Sequence, residues 1–158
     1  MNSLTNRPTP LAGRPDVSPL PGIGEVTDVE QPEISAKLVG FESKDARSRP
    51  FNLLRAQLIK KLAETGGHLI GITSPAPNAG KSFVASNLAA SMSQLSNRRT
   101  VLIDLDLRRA TIADIFGLEG PEGVTEYLLG DELSLSQIGR RIGTSNLVVY
   151  PTFPAPVN

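Results

Sequence analysis

The stretch Gly71-Ile-Thr-Ser-Pro-Ala-Pro-Asn-Ala-Gly-Lys-Ser82 decides the fold of this chain. It continues a short apolar run, passes through a loop rich in Pro and Gly, and ends in Gly-Lys-Ser at the start of an alanine-rich helical pattern. Backbone N–H groups at a helix start, with the positive end of the helix dipole, form a cradle for phosphate oxygens. The order of strand, loop and helix therefore predicts a phosphate-binding loop in an α/β protein.

The loop also predicts which residues contact a bound nucleotide. Lys81 supplies a cation for the terminal phosphates, and the Ser82 hydroxyl is suited to Mg²⁺. The strict pattern G-x-x-x-x-G-K-[ST] is not met, because Pro75 stands where the first Gly belongs. An ordinary strand-to-helix turn with a chance lysine is the alternative. The residues expected to contact nucleotide are Pro75, Ala76, Pro77, Asn78, Ala79, Gly80, Lys81, Ser82 and Phe83.

A second group of chemistry-bearing residues follows one helix later. Residues 100–109 form an apolar strand that ends in Asp104 and Asp106. Residues two apart in a strand point to the same face, and open α/β sheets bind ligands at the carboxyl ends of their strands. Taken alone, such acidic residues are usually helix caps or solvated loop residues. Beside a phosphate loop, both carboxylates are expected to serve Mg²⁺ and the nucleophile.

The rest of the chain divides into a tail and one domain. Residues 1–47 are rich in Pro, Gly, Ser, Thr and Asn, which predicts a flexible tail with a short strand near residues 36–41. The domain is expected over residues 48–158. Its helices are predicted at 48–65, 82–96, 111–116 and 122–129, and its strands at 69–73, from residue 100, and at 147–150. This alternation predicts an α/β, P-loop NTPase-like, doubly wound parallel sheet that is incomplete.

Composition limits the function classes. Lys and Arg total 16 against 16 Asp and Glu, so no basic surface for nucleic acid is expected. The absence of Cys excludes disulfides and thiolate metal sites, and it suits a cytoplasmic protein. The single histidine, His68, excludes a multi-histidine metal centre and is expected in a turn.

Three segments together closely resemble the bacterial tyrosine kinases, cytoplasmic autokinases that regulate capsular and exopolysaccharide synthesis and export. These segments are residues 72–90 with the phosphate loop, residues 101–109 with the two aspartates, and residues 123–130, which read Gly-Val-Thr-Glu-Tyr-Leu-Leu-Gly. The likeness runs from about residue 49 to residue 158. It implies that Lys81 and Ser82 belong to Walker A, and Asp104 and Asp106 to the family's additional Walker A′ motif.

The resemblance implies an ATP-binding protein-tyrosine autokinase domain that regulates polysaccharide synthesis and chain length. ATP and Mg²⁺ are the implied cofactors, with Lys81, Asp104 and Asp106 as catalytic residues. Ser82 and the two aspartates are the implied metal ligands, Asp104 being nearest the tyrosine hydroxyl. The implied partner is the cytoplasmic end of a transmembrane co-polymerase or chain-length protein, which places the chain at the inner face of the plasma membrane. A homo-oligomer is a further expectation.

The sequence departs from the family in three places. The family continues into a Walker B strand, so we expect these 158 residues to be part of a longer product. The family ends in a tyrosine-rich tail, whereas the tyrosines here are Tyr127 and Tyr150. Its first helix carries Glu-x-x-Arg-x-x-Arg for ring assembly, whereas this chain has Arg49 and Asn52 ahead of Arg55.

Two other functions stay open. A partitioning or positioning ATPase carries a second lysine early in its phosphate loop, and Ala76 at the matching position counts against that class. A non-catalytic nucleotide-binding module that regulates polysaccharide assembly is the other alternative. It is favoured, if the chain is complete, by the missing Walker B strand and tyrosine tail.

Overall fold

A computed structural model describes residues 26–29, 35–130 and 132–153 of the chain. These residues contain both helices and strands, and the strands form one sheet with helices packed against it, which confirms the α/β class. No helix within the described ranges is long and apolar enough to cross a membrane. The elements are β1 Thr27–Val29, α1 Arg49–Thr65, α2 Lys81–Met92, β2 Thr100–Ile103, α3 Ile112–Phe116, α4 Val124–Leu129, α5 Leu135–Ile138, β3 Arg140–Ile142 and β4 Leu147–Tyr150, with a 3₁₀ turn at Ala46–Ser48.

The four strands form one open sheet in the order β1-β3-β4-β2. The β1–β3 and β2–β4 pairs are parallel, whereas β3 and β4 are antiparallel. The sheet is therefore mixed, where the sequence predicted a parallel one. The reason is the short connection between β3 and β4, residues 143–146. A connection of this length joins antiparallel strands, because a parallel crossover needs a dozen or more residues.

The strand β4 is buried on both faces and divides the core into two clusters. Leu147 and Val149 pack with side chains of α2 and α3. Val148 and Tyr150 pack with side chains of α4 and α5. Because successive side chains of a strand point to opposite faces, helices cover both sides of β4. This is the layering expected of a doubly wound fold.

Glycines end three of the helices where the sequence predicted them. Gly66, Gly117 and Gly130 follow α1, α3 and α4 with φ of 66°, 60° and 89°. These left-handed values favour glycine, which has no Cβ to clash with the backbone. The helix α2 ends at Met92, earlier than the predicted residue 96.

Part of the predicted N-terminal tail packs against the domain. Residues 36–41 form turns and irregular structure instead of the expected short strand, and among the described residues of the tail the strand is β1. Leu38 and Val39 are buried. The side chain of Asn87 in α2 holds this segment through hydrogen bonds to the backbone of residues 37, 39 and 40. The hydrophobic pattern of a sequence gives no signal for such a contact. The tail prediction for residues 1–25 and 30–34 lies outside the described residues.

The strand predicted at residues 69–73 is irregular in the structure, which corrects that expectation. Leu69 is 89% exposed, and a cavity of about 370 Å³ lies between this segment, α1, α2 and β2. Among the described strands, β2 pairs with β4 alone, and its Val101 and Ile103 are exposed. An apolar segment becomes a strand only when a neighbour satisfies its backbone hydrogen bonds, and here no described strand does so.

The helices α1 and α2 are joined by hydrogen bonds from the positions compared above with the ring-assembly motif. Arg55 Nη1 donates to the Ser91 carbonyl at 2.6 Å. Ser91 Oγ donates to Asn52 Oδ1 at 2.8 Å. Asn52 and Arg55 therefore stabilise helix packing within this chain.

We expect Gly123→Ala to destabilise the fold by about 1–3 kcal/mol. An added Cβ would overlap the backbone carbonyl oxygen of Pro151, to which the Val124 amide already donates at 2.8 Å. Urea denaturation measures the change. Gly71→Ala is the matched control, because nothing lies within 4 Å of the Cβ it would add. Equal loss of stability in both variants would contradict this account.

Candidate nucleotide site

The predicted phosphate loop makes a tight turn immediately before α2. Asn78 has φ of 58°, and Gly80, the N-cap of α2, has φ of 89°. Two left-handed residues so close together curl the backbone towards the helix start. Ser74 Oγ donates to the Ala76 carbonyl at 2.8 Å and holds the beginning of the turn.

The first turn of α2 presents unused backbone donors. Gly80 provides no side-chain cap. Among the described residues, the amides of residues 81–83 have no hydrogen-bond acceptor. The first N–H groups of a helix lack intrahelical partners, and the helix dipole adds partial positive charge there. An anion such as phosphate is the complementary ligand.

A cleft of about 750 Å³ lies over this turn. Pockets for small molecules and cofactors fall in this size range. Its charged lining comprises four cations and two carboxylates, a balance that favours an anionic ligand. The nine residues predicted to contact nucleotide all line it. The full lining is Ser35, Lys37, residues 74–83, Asp106, Arg108, Arg109, Thr111, Asp114 and Ile115.

Lys81 and Asp106 face each other in the cleft. Lys81 Nζ lies 3.5 Å from Asp106 Oδ2, and the two side chains are 28% and 31% exposed. A pair this accessible to water contributes little to stability. Lys81 is therefore free to exchange the carboxylate for a phosphate at small cost.

A hydroxyl pair lies beside this ion pair. Thr111 Oγ1 donates to Ser82 Oγ at 2.7 Å, which brings the residue before α3 against the start of α2. Sequence reasoning missed Thr111 as a site residue, because only folding brings positions 111 and 82 together. Threonine is a common N-cap residue, so the local sequence around Thr111 predicts only the start of α3 and no role in the cleft.

Asp104 does not line the cleft. Its side chain is 3% exposed, and its Oδ1 and Oδ2 accept from the amides of Asp106 at 3.0 Å and Ile112 at 3.3 Å. Its own amide donates to the Tyr150 carbonyl at 3.0 Å, and its carbonyl accepts from Thr152 Oγ1 at 2.8 Å. Asp104 thus ties the end of β2 to β4 and to the first residue of α3.

The expectation that both carboxylates face one site is therefore wrong, because Asp106 lines the cleft and Asp104 does not. The alternation applied to residues 104 and 106 holds only within a strand, and β2 ends at Ile103. Across the described ranges, no group of three or more His, Cys, Asp or Glu is placed to hold a metal ion. The oxygen ligands that the predicted metal set brings to the cleft are the Ser82 hydroxyl and the Asp106 carboxylate.

Burial also changes the ionisation of Asp104. Desolvation raises the pKa of its carboxyl above the ordinary 3.8, and the backbone hydrogen bonds from Asp106 and Ile112 oppose that rise. The folded protein therefore holds this proton more tightly than the unfolded chain. The stability gained from the proton is complete below pH 3.8 and is lost as pH rises through the raised pKa.

We accordingly expect the free energy of unfolding to fall more steeply with rising pH in the wild type than in Asp104→Asn. The two slopes should differ between pH 3.8, the ordinary pKa of the carboxyl group, and the raised pKa of Asp104 in the folded protein. Urea denaturation at a series of pH values measures both slopes. Parallel slopes would show that ionisation of Asp104 is not coupled to folding.

Comparison with known proteins adds relatives along most of the chain. No protein-family model matches the sequence. Tyrosine-protein kinase ptk of Acinetobacter johnsonii is 34% identical over 116 residues, which cover 73% of this chain and 16% of that protein. A Klebsiella pneumoniae protein named as a tyrosine-protein kinase in the cps region is 36% identical over 66% of this chain and 14% of its own length. Tyrosine-protein kinase YwqD of Bacillus subtilis is 32% identical over 74% of this chain and 48% of its own length.

The chain thus spans less than half the length of each of these relatives. Among solved structures, the crystal structure of the chimerical protein CapA2B2 is similar with a TM-score of 0.61 at 26% identity. The match covers 87% of this chain and 58% of that one.

Proposed function

Because the chain is homologous to bacterial tyrosine-protein kinases over 66–74% of its length, we propose that it binds ATP with Mg²⁺ as part of a protein-tyrosine autokinase. The observation that carries this proposal is the cleft over α2. There the unused amides of residues 81–83 and the Lys81 cation face the same space. Backbone donors and a lysine together are the groups that bind the phosphates of a nucleotide.

Each residue of the cleft has a role in this proposal. The amides of residues 81–83 donate to phosphate oxygens, and Lys81 leaves Asp106 to neutralise the terminal phosphate. Ser82 and Asp106 would hold Mg²⁺, which offsets charge on the phosphates during transfer. Phosphoryl transfer depends chiefly on positioning and charge stabilisation, so a small set of side chains suffices.

We place this activity in capsule or exopolysaccharide synthesis, with regulation of chain length as the outcome. The support is the cps-region name of the Klebsiella relative. The proposed partner is the cytoplasmic end of a transmembrane polysaccharide co-polymerase, which would hold the chain at the inner face of the plasma membrane. Co-purification with that partner's cytoplasmic segment tests the pairing.

Two assays test the proposed function, one for ATP binding and one for phosphoryl transfer to tyrosine. We expect ATP to bind this chain in the presence of Mg²⁺. In the longer product that includes the Walker B strand, we expect the terminal phosphoryl group to appear on the tyrosines of a Glu-Tyr copolymer, detected with an anti-phosphotyrosine antibody. Lys81→Met should weaken ATP binding strongly and abolish the phosphotyrosine signal. Tyr150 is 3% exposed and Tyr127 is 37% exposed, so Tyr127→Phe shows whether Tyr127 itself receives phosphate.

A second candidate function is a nucleotide-binding module that regulates polysaccharide assembly without phosphoryl transfer. The position of Asp104 favours it, since the carboxylate expected nearest the tyrosine hydroxyl is buried on backbone amides. ATP binding that Lys81→Met weakens, without any phosphotyrosine from the longer product, would identify the module. Absence of ATP binding would contradict both functions.

A further inference from the structure

The segment of residues 35–40 forms one wall of the cleft, although it precedes the domain predicted from the sequence. Ser35 and Lys37 line the cleft together with the phosphate loop. The Ser35 amide donates to the Ile115 carbonyl at 3.0 Å, which fixes the start of the segment on α3. The phosphate-loop and aspartate motifs do not include this wall.

A buried amide side chain fixes the other end of the segment. Asn87 of α2 is 0% exposed. Its Oδ1 accepts from the amides of Val39 at 2.8 Å and Gly40 at 3.0 Å. Its Nδ2 donates to the carbonyls of Lys37 at 3.1 Å and Phe83 at 2.9 Å. All four hydrogen-bonding positions of the amide are thereby used.

This clamp determines where Lys37 lies. One nitrogen of Asn87 joins the carbonyls of Lys37 and Phe83, so the backbone of Lys37 lies beside the first turn of α2. The unused amides of residues 81–83 belong to that same turn. The segment also packs closely against α2. A Cβ added at Gly40 would overlap the backbone carbonyl oxygen of Asn87. Lys37 therefore comes from a fixed backbone and not from a loose tail.

The two lysines that line the cleft, Lys37 and Lys81, differ in whether a carboxylate lies beside them. Lys81 already has Asp106 as its partner. Within the described residues, no carboxylate lies in ion-pair range of Lys37. Lys37 is exposed and lines the cleft that also holds the unused amide donors. An ammonium group without a carboxylate partner is suited to the oxygen atoms of a phosphate.

We propose that Lys37 is a second cation for the phosphates of the bound nucleoside triphosphate, and that Asn87 is the positioning residue that holds it there. The inference rests on the proposed function, because that function supplies the ligand. It adds a binding residue from outside the predicted domain and assigns a role to the segment N-terminal to α1.

The first test compares ATP affinity in the presence of Mg²⁺ for wild type, Lys37→Gln and Lys44→Gln. Lys44 is the matched control, because it is exposed, lies four residues beyond the segment and does not line the cleft. We expect Lys37→Gln to weaken ATP binding about fivefold, with a smaller effect on AMP, and Lys44→Gln to have no effect. Wild-type affinity in Lys37→Gln, while Lys81→Met still loses binding, would overturn the role of Lys37 alone. A wild type that binds no nucleotide would overturn the proposed function.

The second test isolates the positioning role. Asn87→Asp keeps the acceptor for Val39 and Gly40 but removes the donor to Lys37 and Phe83. If Asn87 acts through Lys37, the double variant Lys37→Gln/Asn87→Asp should bind ATP no more weakly than Asn87→Asp alone. Multiplied losses would overturn the positioning role. Should Asn87→Asp fail to fold, the comparison of Lys37→Gln with Lys44→Gln still decides the role of Lys37.

Discussion

Lys81→Met is expected to weaken binding of ATP with Mg²⁺ roughly 30- to 100-fold. The loss follows from removing the one cation that the phosphate loop itself supplies, since a hydrogen bond to a charged group contributes about 2–3 kcal/mol. The unused amides of residues 81–83 would retain the remaining affinity. Isothermal titration calorimetry or a fluorescent-nucleotide titration measures the change.

The control for this variant is a lysine of similar chemistry elsewhere. Lys61 on α1 is 72% exposed, pairs with Glu64 at 3.7 Å and does not line the cleft. Lys61→Met should bind ATP as the wild type does. The stability of Lys81→Met should also stay close to that of the wild type, because its ion pair with Asp106 is partly exposed. Equal ATP affinity for Lys81→Met and wild type would remove the basis for a nucleotide site over α2.

Local signals in the sequence predicted the elements that depend on local physics. The helix α1 ends where Gly66 permits a left-handed backbone conformation, and β4 coincides with the run Leu-Val-Val-Tyr. The strand β3, which reads Arg-Arg-Ile, shows the limit of such signals. A strand of three residues is too short to show an alternating hydrophobic pattern, and two of its three residues are charged. Only pairing with β1 and β4 makes this segment a strand.

The same distinction applies to the site. The shared position of residues 75–83 along one cleft was predictable, because the loop and the start of the helix are contiguous in sequence. Lys37 and Thr111, which line the cleft, and Asn87, which holds Lys37, were not identified, because their contacts join residues 29 to 50 positions apart in sequence. No pattern of spacing encodes such a contact. A buried asparagine is visible as a clamp only when its four partners are in place.

Asp104 and Asp106 show how a single turn of the backbone separates two roles that sequence spacing assigned together. The carboxylate of Asp104 accepts from two backbone amides in the interior. That of Asp106 faces Lys81 in the cleft. A group that satisfies buried donors stabilises the fold, whereas a group that is partly exposed beside a cation is available to a ligand. Substitution of the two residues should therefore affect different measurements.

Asp104→Ala is expected to lower the free energy of unfolding by about 3–5 kcal/mol, because it leaves the amides of Asp106 and Ile112 without an acceptor at about 1–3 kcal/mol each and opens a space. Asp106→Ala should change stability by less than about 1 kcal/mol and instead reduce the gain in ATP affinity that Mg²⁺ provides. Urea denaturation and ATP titrations with and without Mg²⁺ measure both quantities in both variants. The opposite outcome, a stable Asp104 variant whose folded protein has lost phosphoryl transfer by orders of magnitude, would return Asp104 to the catalytic role that the family resemblance implied. It would also mean that the buried hydrogen bonds of Asp104 give way when nucleotide binds.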